Sequence, residues 1–239
     1  KEFYHCFATS EHGNIFDFVM KTQNLRFGES VKHLANLAGM QPHMFSKQDE
    51  EREKKWKEYA LIFNKYASFY HEELLKNENL TIARDYLKGR SLGKDQVKKF
   101  KIGYIEKNPN FYKILKDEFS EQTLLDTGLF YFDEKKKVYV ERFKGRLIFP
   151  INNISSQIIA LGGRIIEKSD YLAKYINSPE TNFFKKGSNL YNLDFARKLS
   201  NKLDHIYLVE GYMDVVGLSK NGIENAVANL GTSLTDKQI

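Results

Sequence analysis

The most constraining feature of this sequence is an apolar run, a turn, a helical segment and a second apolar run between His205 and Gly231. HIYLV is typical of a buried strand, and Met213 to Asn221 has the spacing of a helix, with Gly222 just past its end. ENAVANLG then returns as a second strand. This order predicts a βαβ unit, whose strands run parallel and whose crossover is right-handed.

Two carboxylates occupy the first turn and the helix start of this unit. Glu210 follows the first strand, and Asp214 comes four residues later. Ligands of such sheets bind at the carboxyl ends of strands, so Glu210 is placed to bind Mg²⁺ or to act as a general base. Metal sites for phosphoryl transfer use more than one acid, and Asp214 can assist. The alternative for Asp214 is an acid favoured by the positive end of a helix.

Composition excludes some classes of protein. The chain has 239 residues, 41% of them apolar, enough for one large domain or two modest ones. No run approaches the ~20 apolar residues of a membrane span and no signal peptide is recognisable, so we expect a soluble cytoplasmic protein without a membrane partner. The net charge of +6 fits a nucleic-acid partner, although many ordinary proteins share it. The single cysteine, Cys6, excludes an internal disulfide.

The sequence predicts an α+β fold with an α/β portion. One long helix is expected from Asp49 to about Asn77, because its apolar residues recur at helical spacing. Four parts are predicted: residues 1–41 as a small unit, 42–78 as a helical linker, 79–200 as a mixed basic sheet subdomain and 201–239 as the part with the βαβ unit.

Basic residues on the predicted strands suggest contact with a polyanion. Arg142, Lys144 and Arg146 occupy alternate positions, so in an extended strand they share one face. Arg164 follows a pair of glycines, which lets a backbone or a ligand approach closely. Together they can grip a sugar-phosphate backbone without reading bases. The alternative, an exposed sheet face that keeps the protein soluble, is slightly favoured by spacing alone.

Two further stretches are basic. Residues 80–104 carry seven lysines and arginines on two predicted short helices, where a solvated surface is favoured over a phosphate contact. Lys174 and Lys186 lie in a long polar loop, and such loops are often functional. These two lysines either hold nucleotide phosphates or belong to a loose surface loop, with nothing in the loop itself to decide.

Several segments resemble bacterial DNA primases, in the order in which that family carries them. LVEGYMDVVGLSKNGIENAVANLGTSLT looks like the first motif of the topoisomerase–primase (Toprim) fold in these enzymes. GRLIFPI, ALGGRII, KYINSPET, KKGSNLYNLDFAR and YLKGRSLGKDQVKKFKIGY are similar to other primase segments. FYHCF and EHGNIFDFVMK resemble the end of the N-terminal zinc-binding domain. The chain is therefore identified as a member of this family over essentially its whole length.

The resemblance implies an enzyme that copies a single-stranded DNA template into a short RNA primer from ribonucleoside triphosphates, with Mg²⁺ or Mn²⁺. Glu210 matches the Toprim glutamate that serves in metal binding and catalysis, and Asp214 matches the acid that follows it. Lys174 and Lys186 match basic residues near the active centre that meet nucleotide phosphates or template.

The resemblance also bears on the basic strand pair and on zinc. Arg146 and Arg164 match arginines of the template groove, which favours nucleic-acid binding for the pair as a whole. The family binds Zn²⁺ partly through a Cys-x-x-Cys pair, of which Cys6 occupies the first place and Thr9 the second. Because a hydroxyl is a poor substitute for thiolate, Cys6 is at most a residual ligand and we do not expect zinc binding here.

Both ends of the sequence suggest a fragment. The family completes its acidic cluster with an Asp-x-Asp pair on a later strand and meets the replicative helicase through a C-terminal domain. Neither lies within this sequence, so we expect the isolated chain to make no primers and no helicase contact. The alternatives are a single-stranded-DNA-binding module without chemistry, or another Toprim enzyme such as a phage-type primase–helicase. No Gly-x-x-x-x-Gly-Lys motif of a helicase occurs here.

Overall fold

The computed structural model of the chain describes residues 3–40, 46–199, 204–231 and 233–239. It separates into two compact units, Lys1–Lys55 and Trp56–Ile239. Helices occur with several sheets, so the fold is mixed α and β, as predicted. The predicted division into four parts stays a prediction. Among the described helices, none is both long and apolar enough to cross a membrane.

The first unit contains a short hairpin and two helices. Strand β1 (Tyr4–His5) pairs antiparallel with β2 (His12–Gly13). Helix α1 (Ile15–Gln23) begins at Asn14, whose side chain accepts hydrogen bonds from the first free backbone N–H groups of the helix. Helix α2 (Phe27–Leu37) follows.

The long predicted helix is confirmed as α3 (Lys47–Lys76). It begins at a capping box, in which Ser46 and Asp49 each donate a backbone N–H to the other's side chain. In the second unit its buried side chains recur every three or four residues, because one face of the helix packs on a core. These side chains are Tyr59, Ile62, Phe63, Tyr66, Ala67, Tyr70 and Leu74.

Two short helices follow, as predicted for the basic stretch after α3. They are α4 (Thr81–Gly89) and α5 (Lys94–Lys99). Arg84 on α4 donates its guanidinium N–H groups to the carbonyl oxygens of Leu74 and Leu75, at 3.2 and 3.1 Å. It therefore satisfies carbonyl groups that the end of α3 leaves without helical partners.

A four-stranded sheet forms the centre of the second unit. Its order is β3 (Gly103–Ile105), β6 (Arg146–Asn152), β7 (Ile158–Ile165) and β8 (Tyr175–Asn177). All of its described pairs are antiparallel. The short connection between β6 and β7 is of the kind that joins neighbouring antiparallel strands.

The faces of this sheet are both buried. Along β6, Leu147, Phe149 and Ile151 enter one apolar cluster with residues of α4 and α5, whereas Ile148 enters another with residues of α3. Alternate side chains of a strand point to opposite faces, so a run that is apolar throughout requires cover on each side.

Smaller elements lie between β3 and β6. Helices α6 (Phe111–Leu115) and α7 (Glu121–Asp126) precede a hairpin of β4 (Phe130–Asp133) and β5 (Val138–Glu141).

The predicted shared face of Arg142, Lys144 and Arg146 is wrong. Residues 142–145 form a turn between β5 and β6, and Gly145 at its end has φ +72°, outside the extended region. The extended run is therefore interrupted, and only Arg146 lies on a strand. Arg142 donates its Nε–H to the Gly128 carbonyl at 2.7 Å.

The βαβ unit at the end of the chain is confirmed. Strand β9 (Tyr207–Val209) pairs parallel with β10 (Ala226–Ala228), and α9 (Tyr212–Lys220) connects them. Gly222, just past the helix, has φ +84°, the left-handed conformation that glycine adopts without strain. Before β9 come a 3₁₀ turn (Lys186–Ser188) and α8 (Leu193–Leu199).

Candidate active site

The parallel pair β9–β10 places one acid at its carboxyl end. Glu210 directly follows β9, is exposed and makes no described hydrogen bond or ion pair. Asn229 directly follows β10, and its buried Oδ1 atom has no hydrogen-bond partner among the described residues. Because the strands are parallel, these two oxygen-bearing side chains lie at the same edge.

Asp214 stands in the first turn of α9. Its Oδ2 atom accepts the backbone N–H of Gly211 at 3.1 Å, which closes a capping box at the helix start. The helix-start role that the sequence left open for Asp214 is therefore real. The residue is also exposed and faces the same cleft as Glu210, so the two roles coexist.

A buried cation also lines that cleft. Arg164 on β7 is 5% exposed, and its guanidinium lies between the rings of Tyr86 and Tyr175, 5.2 and 5.0 Å from their centroids. It also donates to the Tyr175 hydroxyl. No described carboxylate pairs with it, and its Nε atom and the Tyr86 hydroxyl are buried without partners. Buried cations without a counter-ion are rare, so this arrangement favours an anionic ligand.

The two predicted lysines come from separate elements. Lys174 directly precedes β8, and its backbone carbonyl accepts hydrogen bonds from Arg146 Nη1 and from the Ile165 N–H, at 3.3 and 3.0 Å. Lys186 opens the 3₁₀ turn, where its backbone N–H donates to the Glu180 carboxylate at 3.0 Å. Hydrogen bonds therefore hold the backbone of both lysines, and their role in binding phosphate stays a prediction.

A hydrogen-bond relay joins the sheet that carries the cations to the unit that carries the acids. Tyr212, the first residue of α9, donates its hydroxyl to Asn177 Oδ1 on β8. Asn177 Nδ2 in turn donates to the Leu230 carbonyl after β10, at 2.7 Å. The Tyr212 ring lies flat against Gly162 on β7, where an added Cβ would come within 2.4 Å of it. Only glycine allows this approach.

These elements enclose one cleft of about 750 Å³. Five of the eight predicted active-site and nucleic-acid-binding residues line it: Arg164, Lys174, Lys186, Glu210 and Asp214. The other three do not. Arg142 and Lys144 lie in the turn before β6, and Arg146 is 5% exposed and supports the cleft wall through the Lys174 carbonyl. Burial lowers the pKa of the Arg146 guanidinium.

The cleft also contains residues that sequence reasoning missed. Arg90 lines it and stacks on Tyr86, 5.7 Å from the ring centroid. The pair is spaced i, i+4 in the sequence, which brings an aromatic and a cation together at the end of a helix and could have indicated it. Asn177 and Asn229 gave no such indication, because amides in loops and strand ends are common.

Family models match the chain along its length. The model of the DNA primase catalytic core, N-terminal domain, matches residues 69–197, more than half of the chain. This chain belongs to the DNA primase family. The CHC2 zinc finger model matches residues 1–51, and the Toprim domain model matches residues 204–239. The primase core model therefore contains the strands that carry the cations, and the Toprim model contains both acids.

Individual primases agree with this assignment. A DNA primase of Pseudomonas putida is 37% identical over 245 residues, which cover 100% of this chain and 36% of the relative. The zinc binding and RNA polymerase domains of the Aquifex aeolicus primase give a TM-score of 0.69 at 32% identity, covering 99% of this chain and 56% of that one. A DnaG primase catalytic domain bound to single-stranded DNA gives 0.68 at 34% identity, with 78% and 59% covered. The chain thus spans about a third of the curated relative's length.

The primase cleft fits a divalent cation. Mg²⁺ prefers hard oxygen ligands and usually takes one or two carboxylates together with substrate phosphates. Glu210, Asp214 and the unpartnered Oδ1 of Asn229 supply such oxygens. Across the part of the chain that the structure describes, no three His, Cys, Asp or Glu residues cluster, so these oxygens make up only part of a ligand set.

The zinc-ribbon segment does not fit Zn²⁺ with its described residues. Cys6 lies at the end of β1, and hydrogen bonds from the Thr9 side chain and backbone lower the pKa of its thiol. Thr9 thus occupies the place of a second thiolate without its chemistry. The rings of His5 and His12 stack 6.3 Å apart, and no three metal-binding side chains come together here among the described residues.

Proposed function

We propose that this chain forms part of the active centre of a bacterial DNA primase, which copies single-stranded DNA into short RNA primers by metal-dependent nucleotidyl transfer. The observation that carries the proposal is that one cleft is lined by acidic groups from one element and by cations from others. Two carboxylates and an amide oxygen line the side formed by the βαβ unit, and four cations line the rest. Nucleotidyl transfer needs both, because metal binds on one side and phosphate on the other.

The acid side has the simpler role. Glu210 is the principal Mg²⁺ or Mn²⁺ ligand, since its carboxylate is exposed in the cleft with no described partner. Asp214 and Asn229 add further oxygen ligands, with Asp214 held in place by its own helix cap. The bound ion would lower the pKa of the attacking 3′ hydroxyl and neutralise the departing pyrophosphate.

The cation side holds phosphates. Lys174 and Lys186 bind the triphosphate of the incoming ribonucleotide, because both lysines line the same cleft as the acid pair. Arg164 and Arg90 bind the template backbone, since each guanidinium is already oriented by stacking on Tyr86. Stacked arginines lose little further entropy when they grip phosphate. Template binding by Arg142, Lys144 and Arg146 stays a prediction, with Arg146 placed behind the cleft wall.

The partners follow from this chemistry. They are a single-stranded DNA template, ribonucleoside triphosphates and the RNA primer. We extend the proposal to a replicative helicase, a C-terminal domain that contacts it and a place at the replication fork in the bacterial cytoplasm, as expected for the family. A DNA-binding module without chemistry is the alternative, and the likeness to primase catalytic domains supports the enzyme over it.

The test is RNA synthesis by the full-length protein on single-stranded DNA with ribonucleoside triphosphates and Mg²⁺. We expect primers from the unchanged protein and none above background from K174A/K186A, with K135A/K136A as the matched control. The control lysines lie in the exposed turn after β4, outside the residues that line the cleft. DNA binding that persists without any synthesis by the unchanged protein would favour the binding module.

A further inference from the structure

A second cavity, of about 300 Å³, shares no lining residue with the cleft. It opens where the end of β6, the segment after α5 and the start of α8 meet. The end of β6 contributes Pro150 and Asn152 to its lining, the segment after α5 contributes Phe100 and Lys101, and the start of α8 contributes Asp194 and Phe195. Its volume lies at the lower end of the range of small-molecule sites, roughly 300–1,000 Å³. The proposed primase chemistry assigns no role to it.

One edge of this cavity contains hydrogen-bond acceptors that lack donors. Asp194 is 7% exposed, yet its carboxylate accepts one described hydrogen bond, from Asn152 Nδ2 at 3.1 Å, and forms no described ion pair. That bond fixes which way the Asn152 amide points and leaves its Oδ1 atom buried without a partner among the described residues. Buried acceptors normally have donors, so a ligand with two neighbouring N–H groups would complete this edge.

The adjoining walls suit a flat ring. The rings of Phe100 and Tyr191 are nearly parallel, at 25° with centroids 6.3 Å apart, and both residues are buried. Pro150 and Ile158 add apolar surface. Aromatic and apolar side chains with a few fixed polar groups are the usual lining of sites for heteroaromatic ligands.

The rim carries one available cation. The Lys101 side chain is exposed and makes no described hydrogen bond or ion pair. Lys99, also on the rim, is already engaged, because its ammonium contacts the Glu224 carboxylate at 2.6 Å and the Ser219 hydroxyl at 2.8 Å. An anionic group on the ligand therefore has Lys101 as its partner.

We propose that this second cavity binds a guanine nucleotide, at a site separate from the active centre. Guanine presents N1–H and N2–H as adjacent donors, and these match the acceptors of Asp194 and Asn152. Adenine offers an acceptor beside its amino group, which would face the Asp194 carboxylate. The base lies against Phe100, and its phosphate reaches Lys101.

The experiment is calorimetric titration of the full-length protein with GMP, AMP and guanosine in EDTA, which removes divalent metal from the cleft. GMP is expected to bind at least tenfold more tightly than AMP. D194N should weaken GMP at least tenfold, because an amide N–H₂ then faces the donors of the base. E210Q, the matched carboxylate-to-amide change in the cleft, should leave GMP binding unchanged.

K101E provides a second variant that does not depend on a buried position. It should reduce GMP affinity to that of guanosine while leaving guanosine unchanged. The proposal is overturned if GMP and AMP bind equally, if folded D194N binds GMP normally, or if E210Q weakens GMP as much as D194N does. It also fails if K101E leaves the ratio of GMP to guanosine affinity unaltered.

Discussion

Two glutamates end very similar sequence segments and lie in opposite environments. KVYVE closes with Glu141, the last residue of β5, and HIYLVE closes with Glu210, just after β9. Glu141 is 3% exposed, whereas Glu210 is exposed and has no described partner. The Glu141 carboxylate accepts hydrogen bonds from the Tyr66 and Tyr70 hydroxyls at 2.9 and 2.6 Å and from the Phe111 and Tyr112 N–H groups at 2.8 and 3.3 Å.

The difference comes from the partner strand. β5 pairs antiparallel with β4, and the acid at its end is buried, where side chains of α3 and backbone N–H groups of α6 donate to it. β9 pairs parallel with β10, and parallel strands bring their carboxyl ends to one edge that faces a cleft. A strand followed by an acid is therefore a structural element in one topology and a ligand site in the other.

The largest expected effect is on catalysis by Glu210. We expect E210Q to reduce primer synthesis by about 10³-fold or more, since it removes the principal carboxylate from the proposed metal site. The free energy of unfolding should change by less than about 0.5 kcal/mol, because the side chain has no described partner to lose. Primer assays and urea unfolding of the full-length protein measure both quantities. A large loss of stability in E210Q would mean that Glu210, like Glu141, has a structural role.

Glu141 should show the reverse pattern. E141A leaves four donors without an acceptor in a buried place and opens a cavity, so we expect a loss of about 3 kcal/mol in the free energy of unfolding. E134A, an exposed glutamate in the turn after β4, is the control and should change stability by less than about 0.5 kcal/mol. Equal stability of E141A and E134A would show that the buried network contributes nothing.

An intermediate effect is expected at the relay between the two walls of the cleft. N177D keeps the acceptor for the Tyr212 hydroxyl but replaces the donor to the Leu230 carbonyl with a second oxygen. We expect about tenfold less primer synthesis, because the edge that holds Glu210 shifts relative to the lysines. Primer synthesis by N177D should also depend less strongly on the Mg²⁺ concentration. N153D is the matched control, because the half-buried Asn153 after β6 likewise loses an amide donor, here to the Gln157 side chain, outside the residues that line the cleft.

Local pattern predicted the elements that depend on a single segment. The helix α3 and the parallel pair β9–β10 follow from spacing, and so does Glu210 at the strand end. The sequence did not predict the turn at Arg142 to Gly145, because alternating charges look like a strand until Gly145 takes a left-handed conformation. Nor did it separate Glu141 from Glu210, since burial depends on elements distant in sequence.

The local sequence pattern also did not predict which side chains come together in the cleft. Tyr86 lies on α4 and Arg90 directly after it, whereas Arg164 lies on β7 and Lys174 directly before β8. Chain order does not indicate how these side chains stack. The resemblance to primases named Arg164 and Lys174, but the buried unpaired state of Arg164 became visible only from its neighbours in space.

The smallest expected effect is a pH dependence of stability that comes from the buried Glu141. Desolvation raises the pKa of Glu141 above its ordinary value of 4.5, and hydrogen bonds from Tyr70 and Tyr66 partly offset this. The folded protein therefore keeps this proton at pH values where the unfolded chain has lost it. Its contribution to stability is present below pH 4.5 and is lost as pH rises through the folded pKa.

The comparison of the unchanged protein with E141Q isolates that contribution, because glutamine does not titrate and all other groups are shared. The difference in free energy of unfolding should move in favour of E141Q as pH rises from 4.5, and then become constant. A difference that moves in favour of the unchanged protein with rising pH would mean that the four hydrogen bonds outweigh desolvation at Glu141.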